Sequence, residues 1–339
     1  MRIAANLEER YGKNGIALLV DEGPSIVHHG ESGTTYALPA LSEKGTFSAN
    51  ISVHMKSGHS SLSAGYNSII VMSSLIGKIH ASQLHGEVRV DDPCQQSLFC
   101  IGQHVPTLGT EFLETLKRVD QNETDFNEVI PFFTEALPYL KPLTGNTQSL
   151  ATIQGGIKIN IIPERTTLAI NLRLQLGTSI EQAKSHLEQI VKDHIAEIHA
   201  DGGGTNLTFR NWSEPETVNS IKLTAHPGER EASPITPFSV DGQTPYSILQ
   251  RTIRSVYDDL NLTLVAPTSL PANTDTRHYW NLTQHIFRFN PGHDMADPTD
   301  QFIRSNIHNT NERANIFGHI NGVKWFSLFI RNVDQADLV

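Results

Sequence analysis

Two acidic side chains, Asp21 and Glu22, stand where a fold commonly contacts a ligand. They directly follow the apolar run Ile16–Val20, and Gly23 and Pro24 come next. An apolar run that ends in acids and a turn signal is typical of a buried parallel strand. Because open α/β sheets bind ligands at the carboxyl ends of their strands, these carboxylates are candidate ligand-contacting groups.

Arg173 is a second candidate, because the sequence predicts it on the open face of a strand. Residues 166–176 alternate between apolar and polar types, with leucine or isoleucine at 168, 170, 172, 174 and 176. Arg173 therefore falls on the polar face. A guanidinium in this position suits a bidentate grip on a carboxylate. Taken alone, an arginine on a sheet is more often a solvated surface residue, and that interpretation stays open at this point.

His59 lies in the small polar segment SGHSS at 57–61. The serines raise the question of a serine hydrolase. The nucleophile elbow G-x-S-x-G needs glycine where Leu62 stands, so the pattern does not support that class.

Six regular elements surround these residues and predict one domain. Residues 46–56 alternate strictly, as in a half-buried strand, and a helical pattern covers 64–79. Further strands are predicted at Thr152–Ile162, Thr166–Leu176 and Thr205–Asn211, with a helix over Ile180–Ile198. Ser179 with Gln182, or Thr178 with Glu181, would form its capping box. The order strand–helix–strand–strand–helix–strand is that of the ferredoxin-like split βαβ fold.

The flanking segments predict a second, discontinuous α/β domain with a mixed, mostly parallel sheet. A helix is predicted over Pro245–Leu260, with strands near Leu262–Ala266 and His285–Phe289. Residues 1–42 and 225–339 would form this domain, and residues 43–224 the inserted one. Residues 86–148, with helical stretches at 110–119 and 126–139, are interpreted as a helical insertion within the inserted domain.

Composition limits the classes of function. The 339 residues carry a formal net charge of −10 and are 38% hydrophobic. This balance argues against a nucleic-acid surface, which would need a basic stripe. The sequence contains no run of about 18 apolar residues, which is the length that could span a membrane. Cys94 and Cys100 lack a second pair, so a metal knuckle is not expected, and a disulfide loop and two thiols both stay open.

Glycosylation sequons suggest a compartment. They occur at Asn50, Asn122, Asn206, Asn211, Asn261 and Asn281. They predict a secretory-pathway protein, in a vacuolar or lysosome-like lumen or outside the cell. Accidental sequons in a cytosolic protein are the alternative, and the first residues lack the apolar core of a signal peptide.

Five motifs in order carry a family resemblance. They are LLVDEG at 18–23, SGHSS at 57–61, GGIKINIIPERTTLAINLR at 155–173, NTDTRHY at 273–279 and IHNTNER at 307–313. Together they resemble the co-catalytic zinc exopeptidases that include aminoacylase, succinyl-diaminopimelate desuccinylase and, most similar, carboxypeptidase S. The resemblance covers essentially the whole chain. It implies a zinc-exopeptidase catalytic domain with an inserted ferredoxin-like lid or dimerisation domain.

The resemblance also implies roles for the metal-site residues. Such enzymes hydrolyse an amide bond next to a free carboxylate with a water activated by two Zn²⁺ ions. Asp21 or Glu22 matches a carboxylate ligand, and relatives differ over which of the two binds. His308 matches the late histidine ligand.

Substrate contacts are implied in the same way. Arg173 matches the arginine that holds the substrate carboxylate. His59 and Asn160 match residues that stabilise the tetrahedral oxyanion, and in dimeric relatives the histidine reaches into the partner's site. Asp275 and Arg277 match a loop near the substrate, although they could simply pair with each other. The expected substrate is a peptide or an N-acyl amino acid, and a homodimer through the lid domain is one state that the resemblance allows.

Part of the metal site has no match in this sequence. The family draws an H-x-D pair, a bridging aspartate and a Glu-Glu step from upstream of the DEG strand. His199-Ala200-Asp201 and Glu8-Glu9 have the residue types of two of these motifs. The first, however, lies at the end of the inserted domain's helix, and the second lies only 12 residues before Asp21. We therefore expect an N-terminally truncated member that is inactive by itself. The alternative to a carboxypeptidase or amidohydrolase is then an inactive dimerisation or binding module.

Overall fold

A computed structural model describes residues 2–29, 34–62, 65–104, 109–120, 125–136, 138–202, 206–258, 262–292, 310–312 and 315–338. The chain forms two compact units, and both are discontinuous in sequence. Unit 1 comprises Met1–Lys44, Glu87–Thr144 and Ser233–Val339, and unit 2 comprises Gly45–Gly86 and Gly145–Ala232.

The helices and strands follow in chain order. They are α1 (Arg2–Tyr11), β1 (Leu19–Asp21), β2 (Ile26–His29), β3 (Thr34–Ala37), β4 (Ala40–Glu43), β5 (Gly45–His54), β6 (Gly58–His59), α2 (Ser68–Ala81), α3 (Pro93–His104), α4 (Gly109–Asp120), α5 (Ile130–Ala136), β7 (Thr147–Gly155), β8 (Ile161–Ile162), β9 (Arg165–Leu174), α6 (Ile180–Ala200), β10 (Thr208–Arg210), β11 (Ser220–Ala225), α7 (Pro245–Val256), β12 (Leu262–Val265), β13 (Thr268–Leu270), β14 (Ile286–Arg288) and α8 (Ile316–Asp334).

Unit 2 contains a five-stranded sheet in the order β10-β11-β5-β9-β7. The four strands β11, β5, β9 and β7, with helices α2 and α6, have the predicted ferredoxin-like arrangement. The predicted last strand at Thr205–Asn211 has a different place, however. It is β10, an additional edge strand parallel to β11, and β11 is the fourth strand of the fold.

Alternation in the sequence explains how the unit 2 sheet packs. Along β5, buried apolar residues alternate with half-buried polar ones. The apolar face packs against α2 and α6 in one core, which includes Phe47, Ile51, Leu75, Leu172 and Leu187. At the start of α6, Ser179 and Gln182 form the predicted capping box. It satisfies amides that the first turn of a helix leaves without partners.

Unit 1 contains a mixed sheet in the order β1-β14-β4-β13. The pairs β1–β14 and β4–β13 are parallel, whereas β14 and β4 are antiparallel. A separate three-stranded sheet has the order β12-β3-β2. Aromatic side chains from β14, the residue that follows it, α7 and α8 share a core, among them Tyr246, Phe287, Phe289 and Trp325.

The helical segment differs from the prediction in its partner. It was interpreted as an insertion within the lid domain, but residues 87–144 belong to unit 1. The buried side chains of α3 and α4 form a core with Tyr36, Leu38 and Leu264 of unit 1. Asp92, directly before α3, accepts a hydrogen bond of 2.7 Å from Ser269 of β13. The apolar faces of these helices therefore decide their placement.

Two further features of the described residues bear on the sequence analysis. Cys94 and Cys100 are both free thiols. Within the described ranges, no helix combines the length and the apolar character that crossing a membrane requires.

Candidate active site

His59 and Asn160, distant in sequence, lie together at one end of unit 2. Strands β6 and β8 pair antiparallel, with His59 opposite Ile161. The Ser60 amide donates to the Asn160 carbonyl at 3.1 Å, and Ser57 Oγ donates to the Ile162 carbonyl at 2.9 Å. The two loops that carry the candidate oxyanion-stabilising residues are thus joined by backbone hydrogen bonds.

The hydrogen bonds of His59 select its tautomer. The Ser61 amide donates to His59 Nδ1 at 3.3 Å, and Ser61 Oγ lies 2.8 Å from the same nitrogen. Because Nδ1 accepts, the neutral ring carries its proton on Nε2. The exposed imidazole therefore offers an N–H donor, which is the group that oxyanion stabilisation needs.

Asn160 does not lie on a strand, contrary to the prediction of a strand over Thr152–Ile162. Strand β7 ends at Gly155, and Gly156 has a φ of 78°. This left-handed conformation suits glycine and turns the chain out of the sheet. Asn160 is exposed in the turn that leads into β8.

Arg173 lies at the opposite end of unit 2. It is half-buried on β9, opposite Thr46 of β5 and Thr147 of β7. Arg165 begins β9 next to β8, and the eight residue steps from Arg165 to Arg173 span roughly 27 Å at about 3.4 Å each. The structure therefore brings His59 and Asn160 together but does not bring Arg173 to them within one unit 2.

Asp21 and Glu22 differ in environment. Asp21 ends β1 and is partly buried, and its Oδ2 atom is buried without a hydrogen-bond partner in the described structure. Burial raises the pKa of Asp21, and the neighbouring Asp275 carboxyl raises it further. Glu22 is exposed. An unpartnered buried carboxylate oxygen fits a metal ligand, so Asp21 suits this role better than Glu22.

The rest of a metal centre is not visible in the described part of the chain. His308 lies outside the described residues. Those residues contain no group of three or more histidine, cysteine, aspartate or glutamate side chains that could hold a metal ion.

Asp275 and Arg277 lie in a short 3-10 helix, Asp275–His278, and both are exposed. Arg277 Nε donates to His278 Nε2 at 3.0 Å, whereas the Asp275 carboxyl is close enough to Asp21 to raise its pKa. Four residues beneath this helix were not predicted as site residues from their sequence pattern, namely Thr274, Thr276, Glu43 and Arg288. The alternation of threonines in Thr-Asp-Thr is the one signal that could have indicated a capped turn.

The sequon asparagines occupy different environments. Asn206 and Asn281 are exposed. Asn50 Oδ1 lies 3.0 Å from His226 Nε2, and Asn211 Oδ1 accepts from the Ser213 amide. Asn122 and Asn261 lie outside the described residues.

Comparison with protein families and curated proteins places this architecture among known proteins. Residues 41–199 match the peptidase dimerisation domain. The chain is 28% identical to carboxypeptidase S of Saccharomyces cerevisiae, over 98% of this chain and 56% of that protein. It is also 28% identical to human N-fatty-acyl-amino acid synthase/hydrolase, over 98% of this chain and 58% of that protein. The chain thus spans a little more than half the length of these relatives.

Solved structures give the same fold at low sequence identity. Human carnosine dipeptidase 1 matches with a TM-score of 0.59 and 13% identity, over 99% of this chain and 62% of that one. An M20 family metallo-carboxypeptidase from Sulfolobus solfataricus matches with a TM-score of 0.51 and 16% identity, over 97% of this chain and 66% of that one.

Proposed function

We propose that the chain is a carboxypeptidase S-like member of the M20 peptidase family and that it serves hydrolysis of an amide bond next to a free carboxylate. The match of residues 41–199 to a peptidase dimerisation domain and the 28% identity to carboxypeptidase S support this proposal. The substrate class is a peptide or an N-acyl amino acid. The names of two relatives, carboxypeptidase S and N-fatty-acyl-amino acid synthase/hydrolase, point to these two classes. Both relatives are longer than this chain, which covers 56% and 58% of their lengths. The proposed activity is therefore that of a protein as long as these relatives.

The position of Arg173 relative to His59 and Asn160 is the main structural observation that supports a site shared by two subunits. A separation of roughly 27 Å along one strand exceeds the length of a dipeptide, which spans about 7 Å when extended. If all three side chains contact one small substrate, they belong to two subunits. We therefore propose a homodimer in which His59 and Asn160 of one subunit complement Arg173 of the other.

Each side chain has a role that follows from its chemistry. Arg173 would hold the free carboxylate with charge-assisted hydrogen bonds. His59 Nε2–H and the Asn160 side-chain amide would donate to the oxygen that becomes negative as the carbonyl is attacked. Asp275 and Arg277 would border the substrate.

Zinc is the cofactor that fits this donor chemistry. Asp21, through its unpartnered Oδ2, and His308 would contribute one carboxylate and one imidazole ligand, both of which zinc prefers. When bound, zinc supplies Lewis acidity toward the scissile carbonyl. Two such ligands do not complete a pair of four-coordinate ions.

The second candidate function is a non-catalytic dimerisation or binding module. It is favoured by the match of residues 41–199 to a dimerisation domain and by the few candidate metal ligands in the described residues. The two candidates differ in the ligand binding and the metal binding that they predict.

Binding of a free carboxylate tests the assigned role of Arg173. The chain should bind N-acetyl-leucine roughly 10- to 100-fold more tightly than N-acetyl-leucine amide, because a hydrogen bond to a charged group contributes about 1.5–3 kcal/mol. Arg173→Gln should abolish this preference, as measured by calorimetry. Arg165→Gln, at the other end of β9, is the matched control and should retain it. Equal binding of acid and amide by the unaltered chain would rule out the carboxylate-holding role.

Metal content tests the catalytic candidate. We expect these 339 residues by themselves to retain fewer than two zinc ions per chain after dialysis, and to hydrolyse N-acyl amino acids at the buffer rate. The reason is that only two of the family's metal-ligand positions have matches in this sequence, namely Asp21 or Glu22 and His308. Two tightly bound ions, with activity lost in His308→Ala but kept in His319→Ala, would contradict this expectation and establish the chain as an enzyme.

We also propose, from the exposed sequons at Asn206 and Asn281, a location in the secretory pathway, in a vacuolar or lysosome-like lumen or outside the cell. Mass spectrometry of peptides released with and without glycosidase would test it, and unmodified asparagine at both sites would count against it.

A further inference from the structure

A buried ion pair lies beneath the turn that carries Asp275. The side chains of Glu43, at the end of β4, and Arg288, at the end of β14, are each only 1% exposed. Arg288 Nε donates to Glu43 Oε1 at 3.1 Å. A buried charge pair is costly to desolvate and is weak evidence for stability, so its place in the fold calls for another explanation.

Both side chains hold the same short segment. Glu43 Oε1 accepts from the Thr274 amide at 3.0 Å, from Thr274 Oγ1, and from Thr276 Oγ1 at 3.0 Å. Arg288 Nη2 donates to Thr276 Oγ1 at 2.9 Å. The two threonines flank Asp275 and contact each other, with 2.8 Å between their hydroxyl oxygens. Glu43 Oε1 and Arg288 Nη2 therefore hold Thr274 and Thr276 in place by hydrogen bonds.

The fixed segment lies next to Asp21. Asp21 is directly opposite Arg288 in the parallel pair β1–β14. The Asp275 carboxyl, held between the two threonines, is close enough to Asp21 to raise the pKa of Asp21. A methyl group at Gly23 would lie 2.3 Å from the Arg288 carbonyl carbon, so the chain after Asp21 is packed closely against β14. Asp21, Asp275 and the buried pair thus form one contiguous arrangement within unit 1.

We propose that Glu43 and Arg288 are positioning residues, which act through Thr274 and Thr276 to hold Asp275 beside Asp21. The consequence for chemistry rests on the proposed function, in which Asp21 is a metal ligand. A group held against a ligating carboxylate orients it and sets its affinity for the ion. Glu43 and Arg288 would then influence metal binding without touching the metal.

The hydroxyl of Thr276 allows a test that keeps the buried pair intact. Thr276→Val removes the hydroxyl that links Glu43 to Arg288, and Thr276→Ser keeps it. Thr252→Val is the matched control, since Thr252 is also fully buried but its hydroxyl donates to the Ile248 carbonyl of α7 and accepts from Asn332 of α8, away from Asp21 and Asp275 in the hydrogen-bond network. All variants are made in the 339-residue chain. Thr274→Val is a second variant of the network, should Thr276→Val not fold.

Two measurements on these variants decide the proposal. Hydrogen exchange of the 273–279 segment should accelerate about tenfold in Thr276→Val, and the zinc dissociation constant, measured by competition with a chromophoric chelator, should rise about 10- to 100-fold, the range found for residues that support metal ligands. Thr276→Ser should restore both within about twofold, and Thr252→Val should change neither.

Other outcomes separate this proposal from the proposed function. Unchanged exchange in Thr276→Val, or equal changes in Thr252→Val, would overturn the positioning role and leave a general effect on stability. Faster exchange in Thr276→Val, with zinc affinity insensitive to Asp21→Asn, would support the positioning role and instead refute Asp21 as a metal ligand.

Discussion

Replacing Arg288 by methionine is expected to lower the free energy of unfolding by about 3–5 kcal/mol. The cost arises because the Glu43 carboxylate stays buried after its cation is gone. Its Oε2 atom already has no hydrogen-bond partner in the described structure, so Oε1 and its four donors carry the stabilisation of this charge. Domains are typically stable by 5–15 kcal/mol in total, so the loss would be large.

Urea unfolding followed by the fluorescence of the three tryptophans, of which Trp325 lies in the core of unit 1, would measure this effect. Arg277→Met is the matched control, because Arg277 is exposed, and it should change the stability by less than about 0.5 kcal/mol. The double variant Glu43→Gln with Arg288→Met should cost less than the sum of the two single changes, since no unpaired charge remains. Additive costs in this cycle would show that the two side chains do not depend on each other.

The fold of unit 2 was predictable because its sequence pattern is local. Each strand of the sheet buries one face, so the period of two is visible along β5 and β9 without knowledge of the partners. The α6 capping box was predictable for the same reason, since Ser179 and Gln182 are three residues apart. The order of the predicted elements, strand–helix–strand–strand–helix–strand, then indicated the ferredoxin-like topology.

Features that depend on distant packing were not predictable. The helices of 87–144 have apolar faces, but the sequence does not say whether Tyr36 and Leu264 or the unit 2 sheet will cover them. The end of β7 was misjudged because residues 157–162 continue the alternation of apolar and polar types. The left-handed φ of Gly156 turns the chain out of the sheet, so the strand ends although the alternation of residue types continues.

The candidate site divides in the same way. His59, Asn160, Arg173 and Asp21 were found from short motifs, each of which is local. The pairing of Glu43 with Arg288 spans 245 positions and leaves no periodic signal. The distance from Arg173 to His59 was also hidden, since it depends on which end of β9 each side chain occupies.

The proposed homodimer predicts a specific interface on unit 2. Strand β7 is at the edge of the sheet, and its outer side has no strand partner in the described structure. Isoleucines at 69, 70, 153, 157 and 159 are exposed along this edge and at the start of α2, and Ile157 and Ile159 are 98% and 100% exposed. A methyl group at Gly156 would lie 3.8 Å from Ile69 Cδ1, so the start of α2 borders the end of β7.

An exposed apolar edge strand of this kind pairs readily with another chain. We take its occupant to be a second copy for two reasons. Residues 41–199 match a dimerisation domain, and the proposed function has Arg173 and His59, which lie at opposite ends of unit 2, contact one small substrate. The same face then serves assembly and completes the site.

Ile153→Lys should therefore convert a dimer into a monomer. A lysine at the centre of an apolar interface loses its hydration, and one central interface residue commonly contributes 2 kcal/mol or more, which corresponds to roughly 30-fold in the dissociation constant. Sedimentation velocity over a concentration series measures this. Val218→Lys is the matched control, since Val218 is 54% exposed on unit 2 and Ile153 is 56% exposed.

Because the proposed site needs two subunits, Ile153→Lys should also weaken binding of N-acetyl-leucine, although residue 153 belongs to neither group of ligand-contacting residues. A monomer that keeps full affinity would separate the interface from the site, and Arg173 would then act without His59. A control Val218→Lys that also dissociates would place the interface elsewhere on unit 2. Loss of dimer and loss of affinity together, in Ile153→Lys alone, would link assembly to ligand binding.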